Sequence, residues 1–124
     1  SGALEYVYDA EPVERVEISS ENLSAVLAGM HDLATDGAVS QYFKDCIVDA
    51  AAKTGTIQTG DTKNNNGAFV CFAPYDDPQI AVAIVIEKGG SGAALASTAV
   101  QVLNAYFSNT SASSAITGEN TLLG

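Results

Sequence analysis

Ala52-Lys53-Thr54-Gly55-Thr56, a polar loop, then Asn66-Gly67-Ala68-Phe69-Val70-Cys71-Phe72-Ala73-Pro74 form the stretch that sets the architecture. The loop from Thr59 to Asn66 holds Gly-Asp and Asn-Gly turn signals and no apolar residue, so it reads as a mobile connection between two antiparallel strands. The first strand is predicted over residues 47–58 and the second over 67–73. Pro74-Tyr75-Asp76-Asp77-Pro78 then reads as a turn, which makes Asp76 and Asp77 turn residues; Asp61 in the preceding loop reads the same way. A third strand is predicted from Gln79 to Glu87. There Ile80, Val82, Ile84 and Ile86 alternate with Ala81, Ala83 and Val85, so both faces are apolar and both are expected to be covered.

Outward from this sheet the period changes. Leu23, Val26, Leu27, Met30, Leu33 and Ala34 recur at spacings of three and four, which predicts a helix from Ser20. Ser19 or Ser20 supplies its N-cap oxygen, Glu21 suits the positive end of its dipole, and Gly37 is placed to end it. A short helical piece over Ala38–Lys44 follows. After the third strand, Gly89-Gly90-Ser91-Gly92 breaks the chain before a helix from Ala93 to Phe107, with a stripe of Leu95, Ala96, Ala99, Val102, Leu103 and Tyr106. Residues 1–18 read as extended, from the alternation of Leu4, Tyr6 and Tyr8 and again of Val16 and Ile18. The tail from Ser108 to Gly124 is polar and aperiodic and is expected to be disordered. The fold class is therefore α+β, within the broader α/β group: an antiparallel sheet of about three strands flanked by helices.

The 124 residues suffice for one domain with its own core. A net charge of −10 sets the chain against nucleic acid and anionic membrane surfaces, both of which repel it. Apolar runs such as Ile80–Ile86 are too short to span a bilayer, so any anchor or export signal is expected upstream of Ser1. Cys46 and Cys71 lack zinc-like spacing, and neither a metal nor a cofactor is expected. Both thiols are expected to be free and buried, with Cys71 roughly opposite the Lys-Thr-Gly box. His31, the one histidine, has no acidic or Cys partner at ligand spacing and reads as a surface or boundary residue.

The order of these features resembles the C-terminal part of the transpeptidase domain of class B penicillin-binding proteins. It runs through a helical stripe, the Lys53-Thr54-Gly55 box, Asn66-Gly67-x-Phe69-Val70-x-Phe72-Ala73-Pro74, Asp77-Pro78-x-Ile80-Ala81-Val82-Ala83-Ile84-Val85-Ile86-Glu87, a glycine-rich loop and a helix ending in Tyr106-Phe107. The resemblance covers residues 4–107 and is densest from Ala52 to Phe107. It implies a partial β-lactamase/transpeptidase-like fold, with residues 1–107 as one segment of the domain and 108–124 as a tail. It also implies the site. Lys53 would present a positive charge to a substrate carboxylate and to nearby hydroxyls, and the hydroxyls of Thr54 and Thr56 would bind the carboxylate of a peptide or β-lactam. Gly55 would leave the strand edge open to a substrate backbone, and the Thr56 amide would join the oxyanion hole. Lys53 and Thr56 are thus the candidate catalytic residues, with Thr54, Gly55 and Thr56 as the candidate substrate-binding ones.

Two features depart from the family. Ala52 stands where glycine commonly precedes the lysine, and Cys71 where glycine is also common. More consequentially, Ser-x-x-Lys occurs nowhere in the chain, so the nucleophile must come from a missing N-terminal part of the same domain. Ser20-Glu21-Asn22 mimics the family's Ser-x-Asn box, but its place at the head of a helix is that of a cap. The chain alone is expected to be inactive. Its parent is expected to cross-link peptidoglycan stem peptides through an acyl-serine, to bind β-lactams, and to sit anchored at the extracytoplasmic face of a bacterial membrane. A β-lactamase or D,D-carboxypeptidase fragment sharing the box, or a small non-catalytic α/β binding domain, are the alternatives. An exposed sheet edge left by the missing parts would favour homo-oligomers.

Overall fold

The computed structural model describes residues 15–58, 60 and 65–118, with backbone only from 111 onward. The elements are α1 (Ser20–Thr35), α2 (Ser40–Phe43), β1 (Ala51–Ile57), β2 (Asn66–Ala73), β3 (Ile80–Ile86), a 3₁₀ turn (Gly92–Leu95) and α3 (Ala96–Gly118). The sheet is antiparallel in the order β1-β2-β3. The expected strands at 1–14, Asp61 and most of the 59–66 loop lie outside the described residues, as do residues 119–124; residues 15–18 form no regular element.

Local chemistry explains the helix ends. The Asn22 amide donates to Ser19 Oγ at 3.2 Å, so Ser19 is the cap, and Ser20-Glu21-Asn22 forms the first turn of α1. At the other end the amides of Asp36 and Gly37 both donate to the Asp32 carbonyl. A Cβ at Gly37 would lie 2.7 Å from Leu33 Cα, so only glycine lets the chain double back there.

Register divides the sheet into two faces. Ala52, Cys71 and Val82 form one cross-strand row, and Thr54, Phe69 and Ile84 form the next on the same face. This face carries the core: Phe69, Cys71 and Ala73 pack in one cluster with Leu95, Ala96, Ala99, Leu103 and Phe107, together with Ala34 and Val39. Phe69 and Leu103 are 1% and 0% exposed, each worth about 1.5–3 kcal/mol of burial. The opposite face bears Lys53, Val70 and Ala83 in one row and Gly55, Ala68 and Val85 in the next.

Four expectations change. The buried stripe of α3 runs through Ala96, Ala99, Val100, Leu103 and Phe107, and Val102 and Tyr106 face outward. Adjacent apolar pairs, Val102-Leu103 and Tyr106-Phe107, allowed two phases, and contact with Phe69 selects one. The helix also continues to Gly118, past the point where the polar composition was read as a disordered tail. On β3, only Ile80, Val82 and Ile84 meet the core; Ala81, Ala83 and Val85 are exposed, the last 65% so. Finally, the first half of the α1 stripe is open, with Leu23 and Val26 exposed, while Met30 closes an apolar groove of about 210 Å³ with Val70, Phe72, Ala81 and Ala83.

Candidate active site

β1 has a hydrogen-bonded neighbour on one side only, so the Lys-Thr-Gly box lies on an edge strand of the described sheet. Pleating puts Lys53 and Gly55 on the open face and Thr54 and Thr56 on the core face. Lys53 is exposed, and its Nζ donates to its neighbour's carbonyl, Thr54 O, at 2.6 Å. Thr54 and Gly55 are half-buried and Thr56 is exposed. The structure thus brings all four predicted residues to one rim, with the ammonium and the hydroxyls on opposite sides of the backbone.

The start of β1, beside the box, is apolar and buried. Ala51 and Ala52 are fully buried, and Cys71 stands directly across from Ala52. Both cysteines are free; Cys71 is buried and Cys46 half-buried. Burial pushes the Cys71 thiol up from 9.0 to about 11, with the nearby Cys46 adding to it. Burial likewise raises Cys46, and Asp49 adds to the effect. Neither is poised as a nucleophile.

Two side-chain clusters hold the approach to β1, and neither has a local sequence signature. His31 Nε2 lies 3.0 and 2.9 Å from the two carboxylate oxygens of Asp49, and its ring stacks on Tyr75 at 4.2 Å. The Tyr75 amide in turn donates to the Asp49 carbonyl. His31 is therefore a boundary residue, as expected, but it does have an acidic partner, contrary to the reading of its sequence neighbours: Asp49 is remote in the chain, and only the packing of α1 beside β1 joins them. Second, Asn104 on α3 donates from Nδ2 to the Asp45 carbonyl and accepts from the Ile47 amide, both at 2.9 Å. That single side chain clamps the segment entering β1. Asp76 and Asp77 sit in the bend between β2 and β3, as read. Among the described residues no group of three or more His, Cys, Asp or Glu side chains could hold a metal ion, and no helix is long and apolar enough to cross a membrane.

Known proteins place this geometry in a family. Residues 3–107 match the model of the penicillin binding protein transpeptidase domain. The chain is 33% identical over 92 residues to the peptidoglycan D,D-transpeptidase MrdA of Escherichia coli, covering 61% of this chain and 14% of that protein. It is 31% identical over 94 residues to penicillin-binding protein 2A of Bacillus subtilis, covering 68% and 13%. Among solved structures, PBP2 of Pseudomonas aeruginosa in complex with WCK 5153 superposes with a TM-score of 0.67 at 30% identity, covering 81% of this chain and 23% of that one. The chain thus spans only a small part of the curated relatives it matches. With a Lys-Thr-Gly edge strand in an α+β sheet and a family match over most of its length, the chain belongs to the penicillin-binding protein transpeptidase domain family.

Proposed function

We propose that this chain supplies the Lys-Thr-Gly wall of the acyl-serine site of a peptidoglycan D,D-transpeptidase, and that the nucleophile comes from another part of the same protein. The observation that carries the reading is the row Lys53, Val70, Ala83 on the open face of the sheet. One ammonium stands at the margin of an apolar strip in which Val70, Ala83 and Val85 remain exposed, a surface suited to a further segment that packs on it and brings the serine alongside.

In that assembly the serine Oγ attacks the carbonyl of the penultimate D-alanine in a stem peptide. The C–N bond to the terminal D-alanine breaks, its amine takes up the proton, and an ester to serine remains. An amine of a neighbouring stem then attacks the ester and regenerates the hydroxyl. Lys53 holds charge where a carboxylate and the hydroxyls of the proton path converge, and the Thr56 amide faces the developing oxyanion. Thr54 and Thr56 hydroxyls bind the substrate carboxylate, and a β-lactam acylates the same serine. The parent is anchored in the membrane and works at its extracytoplasmic face.

Fluorescent penicillin tests the reading. The chain alone should take no covalent label, and the complete protein should be labelled once, at a serine outside these residues. Stoichiometric label on a serine of this chain, or none on the complete protein, would overturn the proposal.

A further inference from the structure

Gly92 opens the 3₁₀ turn that leads into α3, and it is buried. A Cβ built there would run into the Ala68 carbonyl oxygen and would lie 2.5 Å from the Gly55 carbonyl oxygen and 3.0 Å from the Gly55 nitrogen. From the other side, a Cβ on Gly67 would touch the Gly92 nitrogen and the Ser91 carbonyl, all at 3.4 Å. Gly67 and Gly92 come from separate elements, yet between them they let the backbone of the turn rest on the backbone of β1 and β2 with no side chain between. The same loop is fastened to the start of β2: the Lys88 amide donates to Asn66 Oδ1 and the Gly90 amide to the Asn65 carbonyl, both at 2.9 Å.

Gly67 pairs with Thr56, so the seat lies on the core side of the sheet, behind the face that carries Lys53. An edge strand bonded on one side can flex out of the sheet plane. Here the 3₁₀ turn that leads into α3 rests directly on the backbone of the box glycine from behind.

We propose that Gly92 is a positioning residue for the acyl-serine site, holding the backbone of Gly55, and with it the Thr56 amide, at a fixed height above the sheet. The inference rests on the reading of β1 as the wall of that site. An oxyanion donor works only when it meets charge that develops in the transition state, so its displacement slows acylation rather than weakening the initial complex.

Two alanine substitutions grade the disturbance in the complete protein. Gly67→Ala adds a methyl in bare contact with the seat, and Gly92→Ala forces backbone apart. Stopped-flow with a fluorescent penicillin should show a first-order acylation constant lowered several-fold by Gly67→Ala and about ten- to a hundredfold by Gly92→Ala. The preacylation dissociation constant should stay near that of the unaltered protein. Ser91→Ala, which removes only the hydroxyl that accepts from the Ala93 amide, should leave acylation unchanged. Should Gly92→Ala fail to fold, Gly67→Ala carries the test. Unaltered acylation in the folded variants, or a loss confined to the dissociation constant, would overturn the proposal. If the complete protein takes no penicillin, the functional reading falls, and the seat is judged on this chain alone by ¹H–¹⁵N spectra. Gly67→Ala should then displace the Gly55 and Thr56 amide resonances, and amides that stay in place refute it.

Discussion

At Lys53 the role proposed for the site and the stability of the fold come apart. Its side chain is exposed and, among the described residues, it bonds to its neighbour's carbonyl, so the fold gains little from it. Lys53→Ala should leave the unfolding free energy of this chain, measured in urea, within about 0.5 kcal/mol of the unaltered value. In the complete protein it should lower penicillin acylation by about a hundredfold or more. Arginine is no substitute, because a planar fork cannot occupy the place of a compact ammonium. Cys71 is the converse case, a residue for the fold alone. Its folded thiol is pushed up from 9.0 to about 11, so the unfolded chain releases this proton first as pH rises. The stabilisation is complete below about pH 9 and is lost between there and about pH 11, amounting to about 3 kcal/mol. Urea titrations at stepped pH should show that loss, and Cys71→Ala should flatten it. An unchanged alkaline limb in the alanine variant would assign the loss to other groups.

At the level of elements, Asn104 does for the entry of β1 what a neighbouring strand would do. Its amide fills both a donor and an acceptor of the segment at Asp45 and Ile47. Asn104→Ala should cost about 1–3 kcal/mol, seen as a lower urea midpoint with an unchanged slope. Asn104→Asp should be at least as harmful, since a carboxylate oxygen would then face the Asp45 carbonyl. A variant as stable as the unaltered chain would reduce the clamp to a surface contact. Such pairings explain where sequence reading stops. The strands, the Ser19 cap and the stop at Gly37 were legible because each depends on residues close in the chain: alternation in Ile80–Ile86, a hydroxyl three positions from the amide it caps, a glycine beside the carbonyl it must approach. Lys53, Thr54, Gly55 and Thr56 were legible as a motif, and an open strand edge at the box was what the resemblance implied. His31 with Asp49, and Asn104 with Ile47, were not legible, because each pair meets only after α1 and α3 have packed. The phase of α3 was ambiguous for a related reason. Val102-Leu103 offers two apolar candidates, and the decision is made by Phe69 from another element.

For the whole molecule, the two edges of the sheet formed by the described residues differ in how they resist pairing. β1 presents Lys53 beside Gly55, a charge and a break in side-chain cover that discourage a second strand. β3 runs from Ile80 to Ile86 without a charge or a proline, and Val85 and Ile86 lie exposed along it. An antiparallel edge is complementary to itself about a two-fold axis, so two copies can join through β3 into one continuous sheet. Opposing this is the net charge of −10, which each copy brings to the encounter. Repulsion between the bodies is long-ranged and screened by salt, whereas strand pairing and apolar contact are short-ranged and survive it. Association should therefore be weak at low ionic strength and grow as salt is added, the reverse of an assembly held by opposite charges. Sedimentation at several protein concentrations, in low salt and in about 0.5 M salt where the screening length falls to a few ångströms, measures this directly. Val85→Lys places a charge on the exposed edge and should return the chain to monomer at both salt levels. A species that stays strictly monomeric at high concentration and high salt would mean that the β3 edge is already satisfied within the chain.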